Sequence, residues 1–303
     1  MFLLGVTETY DEHLKAIGLS LLLASTAIFI FWRRGFFSVP ENNNQKVGLS
    51  VVEVIIPFAL YLIIGLFTST ILIVVGISTG YVDSSSDSLH FSSSQQPWVN
   101  LFSFAVMAIS LFIFCFFQQK KVMHIFFWSG VGSQKWKYFS RHFLLGAMSW
   151  LVSFPCVLLA SNAAAFLTFL WTGPIDGLDQ IAVKHLKSSM VEPLLFSITI
   201  LFLSVIVPIM EEVLFRGYLQ TWLRQYLKQI QSISITSFIF ALFHYSSSQG
   251  AKNFELFSAL FLLSCFLGYL RERQKNLWAP IGLHCIFNFM SIVSIYYLEN
   301  YCL

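Results

Sequence analysis

Leu201-Phe-Leu-Ser-Val-Ile-Val-Pro-Ile-Met-Glu-Glu-Val-Leu-Phe-Arg216 reads as an apolar membrane helix interrupted by two adjacent carboxylates, Glu211 and Glu212. Ionisable groups at membrane depth are costly and persist beside a partner or a watery cavity. Two histidines, His244 and His284, interrupt later apolar runs in the same way. The expectation is a site buried within a helical membrane protein.

Composition supports the membrane reading. Of 303 residues, 56% are hydrophobic and 11% charged, with 33 Phe, against roughly 25% charged in an ordinary soluble domain. Apolar runs long enough to span occur near 16–32, 54–79, 98–117, 143–171, 194–218, 233–250, 256–270 and 277–297. Backbone exposed to lipid must satisfy its own hydrogen bonds, so these runs are expected to be helices. The fold class expected is therefore an all-α polytopic membrane protein of about eight transmembrane helices. Its C-terminal bundle would enclose an intramembrane active-site cavity.

The loops after the first, third, fifth and seventh spans hold most of the 18 basic residues, among them Arg33, Arg34, Lys135, Lys137, Arg141, Arg224 and Arg271. Lys15, Lys184, Lys187 and Lys252 fall on the other side. The positive-inside rule then puts both termini outside the cytoplasm, in a multi-pass integral protein of the plasma membrane or, in a bacterium, the inner membrane. The start Met1-Phe-Leu-Leu-Gly-Val lacks the positive region of a cleavable signal. The Ser-rich outer loop Ser84–Ser94, with His90, is read as flexible and without chemistry. Gln220–Gln231 is read as an amphipathic continuation along the cytoplasmic interface. The five scattered cysteines (Cys115, Cys156, Cys265, Cys285, Cys302) form no C-x-x-C pair and read as small buried apolar residues. No basic patch interleaved with aromatics points to nucleic acid.

Chemistry is carried by three spacings. Glu212 and Arg216 stand at i and i+4, the favoured order for an ion pair on a helix. Adjacent residues point about 100° apart, which leaves Glu211 free to face a cavity as a general base for water. Phe240 and His244 share a helix face, as do His284 and Asn288, whose side chains can donate to a developing oxyanion. Trp278 and Pro280 mark the start of the last helix near the cytoplasmic interface. Rises of about 13 to 18 Å along each helix put the three groups at compatible depths. Blander accounts exist for each: an interfacial charge cluster, a packed histidine, or interhelical hydrogen bonding by His and Asn. Gly76-Ile-Ser-Thr-Gly80 matches the nucleophile elbow G-x-S-x-G, but it ends an apolar helix on the outer side and reads more simply as a loop.

Together Glu211-Glu212-x-x-x-Arg216, Phe240-x-x-x-His244 and His284-x-x-x-Asn288 resemble the three ordered motifs of the CPBP family, the type II CAAX endopeptidases and bacteriocin-processing (Abi) proteins. The resemblance covers about residues 143–297. It suggests a division into an N-terminal transmembrane region (1–142, about three helices) and a protease core (143–303, about five). It implies an intramembrane endopeptidase in which Glu211 and His244 activate water and His284 and Asn288 stabilise the oxyanion. Glu212, Arg216 and Phe240 would support the site. The expected substrate is a peptide or protein, lipid-modified in the CAAX case, met among membrane lipids. Arg271-Glu-Arg-Gln-Lys-Asn276 departs from the family in being more charged than its usual short turn. No cofactor is expected; the alternative is zinc on Glu211, His244 and His284. From another class, a non-proteolytic scaffold, immunity factor or transporter would keep the same cluster.

Overall fold

The computed structural model describes residues 10–38, 48–82, 91, 95–118, 120–128, 134–174 and 181–301. The readings of the chain start, of most of the Ser84–Ser94 loop including His90, and of Cys302 lie outside these residues. Among the described residues, thirteen α-helical segments run in chain order: α1 Tyr10–Arg33, α2 Val51–Ser78, α3 Gln96–Gln118, α4 Lys120–Trp128, α5 Lys135–Met148, α6 Trp150–Thr172 and α7 Ile181–Ser189. They continue as α8 Pro193–Leu201, α9 Val207–Glu212, α10 Thr221–Leu223, α11 Gln229–Leu242, α12 Lys252–Gln274 and α13 Trp278–Tyr301. Two π-helical segments, Phe202–Ile206 and Val213–Gln220, join α8, α9 and α10 into one long element.

The all-α polytopic fold is as expected from the sequence. Seven described helices are long and apolar enough to cross a membrane, and their outward faces carry exposed Leu66, Phe67, Phe112, Phe117 and Trp171. The run expected at 233–250 differs. It forms α11, only 14 residues long, which at 1.5 Å per residue rises about 21 Å, short of the roughly 30 Å hydrocarbon core. The chain turns after Leu242, and Asn253 Nδ2 holds the turn by donating to the carbonyls of Ser246 and Gly250. Gln220–Gln231 is likewise not one amphipathic helix. It comprises a buried end at Gln220–Leu223, a turn and the first residues of α11.

Local chemistry explains the ends that position the site. Ser50 and Glu53 form a capping box at the start of α2. Asn276 Oδ1 accepts from the Trp278 and Ala279 amides, capping α13. Before it, α12 stops at Lys275, whose φ of 55° lies in the left-handed region, where Gly is the usual helix terminator. Two of the extra charges of 271–276 are occupied. Glu272 accepts from Gln220 Nε2 and Arg224 Nε, and Arg273 Nη2 donates to the Gly35 carbonyl while its guanidinium covers the Phe36 ring.

Packing fixes α13, which carries His284. It lies against α5 so closely that a Cβ on Gly146 would stand 1.9 Å from the Ala279 carbonyl oxygen, and one on Gly282 2.2 Å from that of Phe143. Small residues permit such backbone approach between membrane helices. One apolar cluster joins α2, α3, α9, the second π segment and the start of α13 around Phe215, Tyr218 and Phe240; a second joins α6, α12 and α13 around Leu263, Leu267 and Leu283. The cysteines Cys115, Cys156 and Cys285 are buried and free, and Cys265 is partly buried and free.

Candidate active site

The Glu pair sits on six residues of α-helix between two wider π turns. Pro208 accounts for part of this. In the first π segment the Val207 amide donates to the Phe202 carbonyl, five residues back; the next donor in that register would be residue 208, and proline has none. The Leu203 carbonyl is thereby left over, and Asn288 Nδ2 donates to it at 2.9 Å. π turns recur at functional sites because they redirect side chains within a helix. Here they bracket the two carboxylates.

Glu212 and Arg216 are both fully buried and paired, with Nη1 to Oε1 at 2.8 Å. Arg216 Nη2 also donates to Ser264 Oγ and to the Ser264 carbonyl of α12, and the guanidinium lies 4.7 Å over the Phe240 ring. Glu212 Oε1 accepts a second bond, from His284 Nδ1 at 2.8 Å. The other carboxylate, Glu211, turns elsewhere. Its Oε1 stands 3.7 Å from His244 Nε2 and its Oε2 3.6 Å from His284 Nε2, beyond ordinary hydrogen-bond length.

His244 lies two residues past the end of α11, not on a helix face as its spacing with Phe240 suggested. Its Nδ1 nevertheless reaches the Phe240 carbonyl at 2.8 Å. A carbonyl can only accept, so this nitrogen carries the proton. Phe240 is fully buried, with the imidazoles of His244 and His284 at ring distances of 4.8 and 6.0 Å. His244 is the open side of the cluster: its side chain is 33% exposed, against 12% for Glu211 and 4% for His284.

The structure thus brings Glu211, Glu212, Arg216, Phe240, His244 and His284 into one cluster. Asn288 stands one turn beyond His284 on α13, its amide engaged by Leu203. Residues 193–290 match the type II CAAX prenyl endopeptidase Rce1-like family. That match contains the three motifs and agrees with the CPBP resemblance read from them. No curated protein and no solved structure matches the chain.

Glu211, His244 and His284 are the residues that the zinc alternative would use, so their disposition bears on the chemistry. Among the described residues no group of three His, Cys, Asp or Glu side chains is disposed to hold a metal ion. His284 spends Nδ1 on Glu212, and Glu211 is shared between the two remaining nitrogens at distances beyond hydrogen bonding. The side chains as arranged do not fit a three-ligand zinc site. Gly76–Gly80 takes no part either: Ser78 Oγ donates to the Val75 carbonyl of its own helix at 2.8 Å. Sequence reading missed Ser264, which ties Arg216 to α12. Its only signal is a hydroxyl amid Leu262-Leu263-Ser264-Cys265.

Proposed function

We propose that the protein is an intramembrane endopeptidase of CAAX type, hydrolysing a peptide bond of a membrane-borne peptide or protein. The supporting observation is the convergence of two imidazole Nε2 atoms on the two oxygens of one carboxylate, Glu211, each imidazole pinned through its Nδ1. The family match over residues 193–290 points to the same reaction class.

Glu211 and His244 activate the water. A carboxylate that makes no hydrogen bond among the described residues has lone pairs to accept a water proton, and His244 Nε2, unprotonated while Nδ1 donates to Phe240, accepts from the same water. The hydroxide equivalent adds to the scissile carbonyl, whose π electrons move to oxygen. His284 and Asn288 stabilise that oxyanion. In this role the His284 ring carries protons on both nitrogens, one held by Glu212 and one turned to the oxyanion, and Asn288 offers the amide hydrogen that Leu203 leaves unused. Collapse breaks the C–N bond, and the amine leaves with the proton that Glu211 took. Glu212, Arg216 and Phe240 hold the rings in place. The reaction uses no metal.

A farnesylated fluorogenic peptide ending in C-a-a-X, cleaved by the protein in lipid nanodiscs, tests the reading. Glu211→Gln keeps the shape and removes the base, so kcat should fall by about 100-fold or more, with the unfolding temperature nearly unchanged. A zinc chelator should leave wild-type cleavage intact. Full activity in Glu211→Gln would sink the protease reading in favour of a non-catalytic scaffold.

A further inference from the structure

Between Asp87 and Asp176 the chain has no acidic residue, yet α5 opens with Lys135, Lys137 and Arg141, all exposed. Lys135 Nζ lies 5.6 Å over the Trp128 ring, and neither Lys137 nor Arg141 has an ion-pair partner among the described residues. The next face of the same helix carries Tyr138 and His142, one turn apart with ring centroids separated by 4.1 Å. Asn276 Nδ2 donates to the Tyr138 hydroxyl at 3.1 Å, which ties α5 to the turn between α12 and α13.

Arg271 lies in the last turn of α12, its carbonyl accepting from the Lys275 amide just before Asn276. Its Nε is shut off from solvent and has no hydrogen-bond partner, while the side chain as a whole keeps part of its surface open. Among the described residues its charge is unpaired. Glu272 beside it is engaged by Gln220 and Arg224, and Tyr138, within electrostatic reach, offers a phenol rather than a carboxylate.

A guanidinium withdrawn from water without a counter-charge is costly. Arg216, Arg224 and Arg273 avoid that cost by donating to protein oxygen atoms; Arg271 does not. It stands seven residues, or about 10 Å, along α12 from Ser264, which holds Arg216. That places it at the end of the span, where the basic residues of α5 and Trp136, 77% exposed, mark the membrane interface. The anions met at such a depth are lipid headgroups, and the planar fork of arginine matches a phosphate.

We propose that Arg271 is the centre of a binding site for the phosphate of an anionic phospholipid. Its terminal guanidinium N–H groups donate to the phosphate oxygens, and Lys137 and Arg141 supply the charge that favours an anionic headgroup over a zwitterionic one. The lipid balances a charge that the fold leaves unpaired, and it braces the turn from which α13 starts. This binding function does not rest on the protease reading.

Native mass spectrometry of the full chain, titrated with phosphatidylglycerol or phosphatidylcholine, measures the preference. The wild type should bind phosphatidylglycerol about tenfold more tightly or better. Arg271→Met should lose most of that preference, and Lys137→Gln and Arg141→Gln about fivefold each, the share of one basic side chain near an anionic surface. In nanodiscs of phosphatidylcholine alone, Arg271→Met should unfold no earlier than the wild type, because it strands no protein partner. With phosphatidylglycerol present the wild type should gain thermal stability by linkage, and the variant should not. An unchanged preference in Arg271→Met overturns the proposal. So does an equal loss of stability in both bilayers, which would mark a structural arginine. Millimolar inorganic phosphate should not raise the unfolding temperature in phosphatidylcholine; a rise matching that from phosphatidylglycerol would assign the site to a free anion and overturn the lipid.

Discussion

Arg216 carries its charge with no exposed surface, held by Glu212, by Ser264 and by the face of Phe240. Truncating one member of such a pair strands the other charge, which costs about 3 to 5 kcal/mol. Arg216→Met should therefore unfold at markedly lower denaturant than the wild type. Adding Glu212→Gln should restore part of that loss, a non-additivity that a double-mutant cycle measures. The pairing of Glu212 with Arg216 was legible from their spacing of four. Ser264 was not, because the contact crosses 48 residues and a serine inside an apolar helix commonly bonds its own backbone instead. The separate directions of Glu211 and Glu212 were also legible, since adjacent residues on a helix cannot share a face. That His284 would bridge them, with Nδ1 on one and Nε2 toward the other, depends on how α13 is placed and could not be read locally.

At the scale of elements, α13 is placed by contact rather than by propensity. The close crossing with α5 depends on Gly146 and Gly282 having no side chain. Gly146→Ala inserts one carbon against the Ala279 backbone, and overpacking of this kind costs on the order of 1 to 3 kcal/mol. The variant should unfold earlier and also lose peptidase activity, because His284 rides on the displaced helix; parallel melting and cleavage assays check both. Seven spans were readable as long apolar runs. The run at 233–250 misled because hydropathy continues through Leu242-Phe243 while the hydrogen bonding does not: Asn253 reaches back to the Ser246 and Gly250 carbonyls and stabilises a turn. The π segments were hidden too. Pro208 signals a missing donor, but whether a helix answers by kinking or by widening is decided by partners such as Asn288 on another helix.

Across the whole molecule, the face away from the basic loops is tied together by α7. Lys187 pairs with Glu299 at the end of α13 at 2.8 Å, and His185 is buried against Phe104, its Nδ1 3.4 Å from Asn100 Nδ2. Burial lowers the His185 pKa from its ordinary value. The folded protein therefore holds this ring neutral where an unfolded chain would protonate it. Unfolded chains bind the extra proton as the pH falls through the ordinary histidine range near 6.5, so the fold loses stability there and is unaffected above it. Thermal unfolding in nanodiscs should show that acid loss, and His185→Gln should reduce it.

The two imidazoles share one detail that reaches beyond placement. Each has its Nδ1 tied off, in His244 by a main-chain carbonyl and in His284 by a buried carboxylate. Neither ring can flip without breaking that tie, so a mobile proton has only a short itinerary: the two Nε2 atoms and the carboxylate of Glu211 between them. On the proposed mechanism, the cycle can run with almost no side-chain rearrangement. Its tempo would then be governed by how fast a peptide arrives and leaves, and activity would respond more to the fluidity of the surrounding lipid than to the stiffness of the site.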